Sequence, residues 1–260
     1  MQKEALKFVD STVFEGMTSI RAIIAGIDAG VNNRRIEKIL FDGDKLKKIS
    51  KEVGYLRAVS DKYGFELVRS TAEELDVLTL GNTHGGIIAV CSGRDLPALC
   101  GAEVLPSGFY AMIQGIEDPY NFGYSLRSLY ACGADGIILG GRNWMSAAGV
   151  VSRSSAGASE RFNIYTADDV ECVRHFSSLG YKIVCASEDT DNLLGAVDLS
   201  GPILLVVGGE KRGISKDVLD MADLLVKIPY AREFRASLSA ASASTMFAYE
   251  IMRQRINKKI

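Results

Sequence analysis

The sequence predicts an α/β protein: a mostly parallel sheet in the carboxy-terminal part, preceded by a smaller α/β module. Three observations carry this. Short apolar runs of strand length alternate with amphipathic stretches of helical length along most of the chain. In the second part the segments between strands are long enough for the crossovers that parallel pairing requires. Between the two parts, from Ser92 to Gly108, periodicity lapses around Pro97 and Pro106. The expected division is therefore a module over residues 1–95, a linker over 96–108 and a second domain over 109–260.

In the first part, SIRAIIAGIDAG (19–30) has helical spacing and ends in glycine, and RIEKILFD (35–42) reads as a strand. A long amphipathic helix over 45–64 is stopped by Gly64 and followed by the strand FELVRS (65–70). Thr71 and Glu74 have the spacing of a capping box opening a short helix. GIIAVCS (86–92) closes the module as an apolar strand. In the second part the strands are FYAMIQG (109–115), GIILGG (136–141), YKIVCAS (181–187), PILLVVGG (202–209) and DLLVKIP (223–229). Helices are expected over 123–133, 166–179 and 238–255.

Composition narrows the function classes. The chain has 260 residues, 47% of them hydrophobic, with 30 Lys and Arg against 32 Asp and Glu, an ordinary globular balance. A net charge of −2 argues against binding nucleic acid through bulk charge and leaves local basic patches as the route. No apolar run reaches the roughly 18 residues of a spanning helix, and the opening MQKEALKFVD is charged where a signal peptide is apolar. A cytoplasmic protein without a membrane partner is expected. Five cysteines with no C-x-x-C pair fit neither a disulfide framework nor a zinc site, and are read as reduced core thiols. With His84 and His175 the only histidines, Ser-His-Asp chemistry and a multi-histidine metal site lack raw material, so no metal is expected.

In parallel sheets ligands gather beyond the carboxyl ends of the strands, so the loops leaving those strands are the candidates. The first is Gly115–Gly123, where Asn121 can donate and accept, ahead of Arg127, which can grip a phosphate or carboxylate. The second, Val207–Ser215, nearly matches a phosphate-cradling loop through Gly208 and Gly213, but Ile214 stands where that loop needs lysine. Its glycines still admit a ligand close to the backbone, and Glu210 adds a carboxylate. The third runs from Ile228 to Ser244, with Arg232 and Arg235 in the loop and Ser237 as either a ligand contact or the cap of the final helix. A fourth, Arg153–Glu160, reads as a flexible polar loop.

Taken together, these loops resemble the signature motifs of the SPOUT superfamily, SpoU/TrmH-type RNA ribose 2'-O-methyltransferases. Asp118-Pro119, Asn121, Gly123 and Arg127 resemble D-P-x-N-x-G-x-x-x-R. Gly208, Glu210, Gly213, Ile214 and Ser215 resemble G-x-E-x-x-G-[IL]-S, and Ile228-Pro229 with Ser237–Ala243 resemble I-P followed by S-L-N-x-S-x-A. The fourth stretch is similar to the family's S-A-G-A segment. The first 95 residues resemble the RNA substrate-binding domain of rRNA-directed members, through Gly16, the strand over 35–42 and Thr83-His84-Gly85-Gly86-Ile87-Ile88-Ala89.

The resemblance implies a carboxy-terminal trefoil knot holding S-adenosylmethionine, with Gly208, Ile228 and Leu238 touching the cofactor largely through backbone. It implies transfer of the methyl group to a ribose 2'-hydroxyl of RNA, rRNA in preference to tRNA, by a homodimer. Arg127 is the residue the family assigns to this work, as proton acceptor or, since its guanidinium stays protonated, as holder of the target phosphate. Asn121, Glu210, Ser237 and Ser239 surround it, and Arg153, Arg232 and Arg235 are the expected RNA contacts. One departure stands out: Ser239 occupies the usual asparagine position, and a hydroxyl replaces only part of an amide's bonding. The alternative it raises is an RNA-binding or ribosome-assembly factor with the same fold and no transfer activity.

Overall fold

A computed structural model describes residues 12–79, 84–140, 147–234 and 236–257. Its first unit is built on β1 (Val13–Glu15), α1 (Gly16–Asp28), β2 (Ile36–Asp42), α2 (Ser50–Tyr63), β3 (Glu66–Ser70), α3 (Ala72–Leu78) and β4 (Ile87–Cys91). The sheet order is β1-β4-β2-β3, with β2 and β3 parallel and the pairs involving β4 antiparallel. Ile20, Ile23 and Ile24 recur at helical spacing on α1 and are buried with Phe14, Ile39, Leu56 and Ile87. The Thr71–Glu74 capping box forms in both directions. α2 ends where Gly64 turns left-handed at φ 69°. His84 is buried; its Nδ1 accepts the Gly86 N–H at 3.0 Å and its Nε2 lies 3.0 Å from Asp76. The ring thus fixes the turn into β4, while Thr83 lies outside the described residues.

The second unit contains β5 (Phe109–Gln114), α4 (Pro119–Ala131), β6 (Gly136–Leu139), β7 (Asn163–Thr166), α6 (Asp169–Ser178), β8 (Lys182–Ala186), β9 (Ile203–Gly208), α7 (Lys216–Leu219), β10 (Leu224–Val226) and α8 (Ala240–Asn257). The strands form one sheet in the order β10-β8-β9-β5-β6-β7, every neighbour parallel. Its central strands are buried on both faces, as their continuous apolar runs require. Residues 96–108 belong to this unit and are not a free linker: Leu99 is buried in its core, and its N–H donates to the Thr166 carbonyl at 2.9 Å.

The stretch expected as a flexible loop is ordered. α5 (Ala148–Ser154) and a 3-10 turn (Ala158–Glu160) form there, and the described residues 147–161 group with the first unit. Ser152, Ser154, Ser155 and Ser159 are buried, and Glu160 is fully so. Its carboxylate pairs with buried Arg34 at 2.8 Å and accepts from Asn32 Nδ2 at 2.8 Å. Small polar side chains that bond locally look like loop in the sequence; here they are what lets backbone pack closely around a buried ion pair.

Three of the five cysteines are core thiols as expected. Burial pushes Cys91 and Cys185 up to about 12 and raises Cys172 as well, so they stay protonated and unreactive at neutral pH. Cys100 is exposed and Cys132 half-buried, contrary to the core reading. Iodoacetamide at pH 7.5 is expected to label Cys100 first and Cys132 slowly, and the other three only after denaturation, as peptide mass mapping would read out. Among the described residues no helix is long and apolar enough to cross a membrane.

Candidate active site

Beyond the carboxyl ends of β8, β9 and β10 a cavity of about 340 Å³ opens. It takes its walls from three loops: Ala186–Glu188 after β8, Val207–Ile214 around the end of β9, and Val226, Ile228, Tyr230, Ser237 and Leu238 after β10. Phe247 of α8 closes the apolar side with Ile214, Leu219 and Val226. Glu188 and Glu210 supply carboxylates. An apolar wall, exposed loop backbone and two acids suit a flat heterocycle that carries positive charge.

Glycine is what gives this cavity its shape. A Cβ on Gly208 would stand 2.5 Å from the Gly213 carbonyl carbon and 2.6 Å from the Ile214 nitrogen. The loop therefore folds back on itself with backbone against backbone, held by the Gly213 N–H donating to the Gly209 carbonyl at 2.8 Å. Gln114, the last residue of β5, fixes the loop to the sheet: its backbone carbonyl accepts from Gly209 N–H at 2.7 Å and its side-chain oxygen from Ser215 N–H at 2.8 Å.

A second recess of about 310 Å³ adjoins the first through Glu210 and Ala240, and is lined by Gly115, Asp118, Asn121 and Lys211. Asp118 caps α4 by accepting from the Tyr120 and Asn121 N–H groups, which sets Asn121 in the first turn. From there Asn121 Nδ2 donates to Glu210 Oε1 at 3.2 Å, and Lys211 pairs with Glu117 at 2.7 Å. Glu210 is thus a carboxylate held by an amide between two cavities, one apolar and one polar.

Of the residues singled out from sequence, Gly208, Glu210, Ile228, Ser237 and Leu238 meet around the first cavity, and Asn121 joins Glu210 in the second. Arg127 lies exposed on α4 and lines neither. Ser239 lines neither cavity; its hydroxyl accepts from Ser242 N–H at 3.2 Å and caps α8. The cap expected at Ser237 therefore falls two residues later, and Ser237 is left exposed. Arg153 pairs with Glu15 at 2.9 Å, Arg232 is exposed, and Arg235 lies outside the described residues. Sequence reasoning missed Gln114, Glu188, Tyr230 and Phe247; the first three sit at or just past the carboxyl ends of strands, where polar residues after an apolar run are the signal.

Residues 108–249, which include all three loops and both cavities, match the SpoU rRNA Methylase family. The chain belongs to this family. It is similar to the 23S rRNA (guanosine-2'-O-)-methyltransferase RlmB of Shewanella oneidensis, at 28% identity over 85% of this chain and 90% of that one. It is 34% identical to an uncharacterized tRNA/rRNA methyltransferase of Mycobacterium sp. strain KMS over 74% of this chain, spanning 63% of that relative's length. The SpoU methyltransferase AviRb from Streptomyces viridochromogenes, solved in complex with the cofactor AdoMet, superimposes with a TM-score of 0.76 at 25% identity, covering 94% of this chain and 90% of AviRb. The SpoU assignment makes S-adenosylmethionine the group to be tested against the first cavity, and the residues fit it. Gly208 lets the loop close on its own backbone at the cavity edge, and the lining joins the apolar Ile228 and Leu238 to the carboxylates of Glu188 and Glu210, a donor set that suits an apolar-faced cationic ligand.

Proposed function

We propose that this SpoU protein transfers a methyl group from S-adenosylmethionine to a ribose 2'-hydroxyl of rRNA in the cytoplasm. The observation that carries the reading is the pair of adjoining cavities sharing Glu210. The similarity to RlmB across most of both chains supports rRNA over tRNA, as does the amino-terminal unit. Five free cysteines suit a reducing compartment. The parallel sheet with three cavity loops drawn from its last strands supports a knotted carboxy-terminal segment.

Bound in the first cavity, S-adenosylmethionine supplies an electrophilic methyl group on sulfur. The rest falls to side chains of this chain. Gly208, Ile228 and Leu238 hold the donor, chiefly through backbone and apolar contact. The 2'-hydroxyl is a weakly acidic nucleophile that has to be aligned and relieved of its proton; alignment alone is worth several kcal/mol. Asn121 orients the Glu210 carboxylate at the boundary of the two cavities, where it can accept a hydrogen bond from the sugar hydroxyl, with the exposed Ser237 hydroxyl nearby. Ser239 carries helix capping, so the change from asparagine leaves the cavity lining intact, which favours an active enzyme over an inactive assembly factor.

Arg127 reaches the reaction through a second copy. Tyr120, Tyr124 and Arg127 share one exposed face of α4, and Met246 and Tyr249 are exposed on α8, which packs against α4 with Ser128 and Thr245 hydroxyls 2.6 Å apart. Exposed Tyr, Met and Arg side chains on two helices packed together have the make-up of an interface. In the homodimer Arg127 holds the target phosphate. Arg127→Ala is expected to lower kcat/KM about 10- to 100-fold, the worth of a charge-assisted hydrogen bond, with S-adenosylmethionine affinity unchanged by calorimetry.

The deciding experiment supplies labelled S-adenosylmethionine with unmodified rRNA and with the same RNA carrying 2'-deoxyribose at the site found by ribose-methylation mapping. Transfer to the first and not the second is expected. Cofactor binding without transfer to any RNA sinks the enzymatic reading and leaves the non-catalytic factor.

A further inference from the structure

Every described phenylalanine but one is buried; Phe234 is 58% exposed. It sits in the loop between β10 and α8, and its ring meets that of Tyr230 with centroids 5.9 Å apart at 64°. Tyr230 belongs to the wall of the first cavity, and its hydroxyl oxygen accepts the Leu238 N–H at 3.2 Å, which fixes the ring beside the donor site. An edge-to-face pair occupies one face of one ring only, and with Phe234 58% exposed ring area stays open to a third planar group. Arg232, two residues before Phe234, is exposed in the same loop. An exposed phenyl ring, braced by a tyrosine of the cavity wall and close in sequence to an exposed guanidinium, offers a flat apolar face beside a positive charge, the pairing that single-stranded nucleic acid uses.

We propose that Phe234, braced by Tyr230, is a stacking platform for an unpaired nucleobase of the RNA substrate next to the ribose that is methylated. Flat aromatic faces accept any base, and RNA-directed proteins read single-stranded nucleotides in this way. The platform selects unpaired over paired RNA, because a base inside a duplex has no free face. Phe234 is a positioning residue: it sets the ribose in front of the donor cavity and touches no reacting atom. The inference rests on the methyltransferase reading, yet its test is a binding measurement that stands apart from turnover.

The full chain, as wild type, Phe234→Ala, Phe234→Leu and Phe234→Trp, is titrated into a fluorescently labelled 15-nucleotide single-stranded RNA and into the same sequence as a duplex. Phe234→Ala is expected to weaken single-strand binding about tenfold or more, the usual worth of one stacked base, and to leave duplex binding unchanged. Phe234→Trp restores affinity and Phe234→Leu does not, which separates stacking from apolar packing. S-adenosylmethionine affinity stays the same in all four proteins, and methyl transfer by Phe234→Ala shows a raised KM with kcat little changed. Equal single-strand affinity for wild type and Phe234→Ala overturns the proposal, as does rescue by leucine. A fall in sedimentation coefficient for Phe234→Ala, marking the ring as a contact between copies, also overturns it. Wild type that binds RNA with the expected Phe234 dependence but transfers no methyl group refutes the enzymatic reading and not this one.

Discussion

Glu160→Ala is expected to destabilise the first unit by about 3–5 kcal/mol, the usual result of removing one partner from a buried ion pair. Both side chains of the Arg34–Glu160 pair are essentially inaccessible, at 2% and 0% exposure. Arg34 is otherwise committed: Nη1 donates to the Ser92 carbonyl at 3.0 Å and the guanidinium lies 4.8 Å over the Phe14 ring. Without the carboxylate its charge stays in the core with no counter-ion, and Asn32 loses its 2.8 Å acceptor. Urea unfolding followed by circular dichroism should show the lower midpoint. Hydrogen exchange should place the loss in β1–β4 and in residues 147–161. The double variant Arg34→Met, Glu160→Leu should recover much of the stability, because removing both charges also removes the desolvation cost. A single variant as stable as wild type would sink the assignment of this pair.

Gly208→Ala is expected to weaken S-adenosylmethionine binding about 10- to 100-fold, since overpacking of this kind typically costs 1–3 kcal/mol and the cradle is where it falls. The new methyl group meets backbone at 2.5 Å and 2.6 Å, so no side chain can swing aside; the loop from Gly209 to Ile214 has to open. Opening it pulls on the Gly209 N–H bond to Gln114, and through Ser215 on the start of α7. Gly201→Ala is the control: a Cβ there meets nothing within 4 Å, and the residue lies outside the donor cavity. Calorimetry on the two variants separates the local effect from any general cost of losing a glycine. Equal cofactor affinity for Gly208→Ala and wild type would mean that the cavity beyond β9 is not the donor site.

The parts of this molecule that announce themselves in sequence are those governed by neighbours a few residues away. β5 and β9 show as continuous apolar runs because a parallel central strand is covered on both faces, and Thr71–Glu74 shows because both halves of its capping box lie within one turn. The loops after β5 and β9 follow strands of that kind, so Asn121 and Glu210 could be found from strand position; Leu238, past the short edge strand β10, stood out only through the resemblance to a family motif. β1 and β7 were not, since three or four residues carry too little alternation to register. Residues 153–160 misled for a different reason: the partner that orders Glu160 is Arg34, 126 positions away, and only the folded chain brings them together. The cap of α8 falls at Ser239 where Ser237 was the candidate, a choice between two similar hydroxyls that only backbone geometry makes.

The cavity beyond β9 draws walls from Ile228, Tyr230, Leu238 and Phe247, which follow every strand of the sheet in sequence. A polypeptide still emerging from the ribosome has its first unit and most of its sheet, but no place to hold the methyl donor until those residues have been made and have folded back against β9. A nascent SpoU chain with this order of synthesis completes that cavity only after every strand of the parallel sheet has been made.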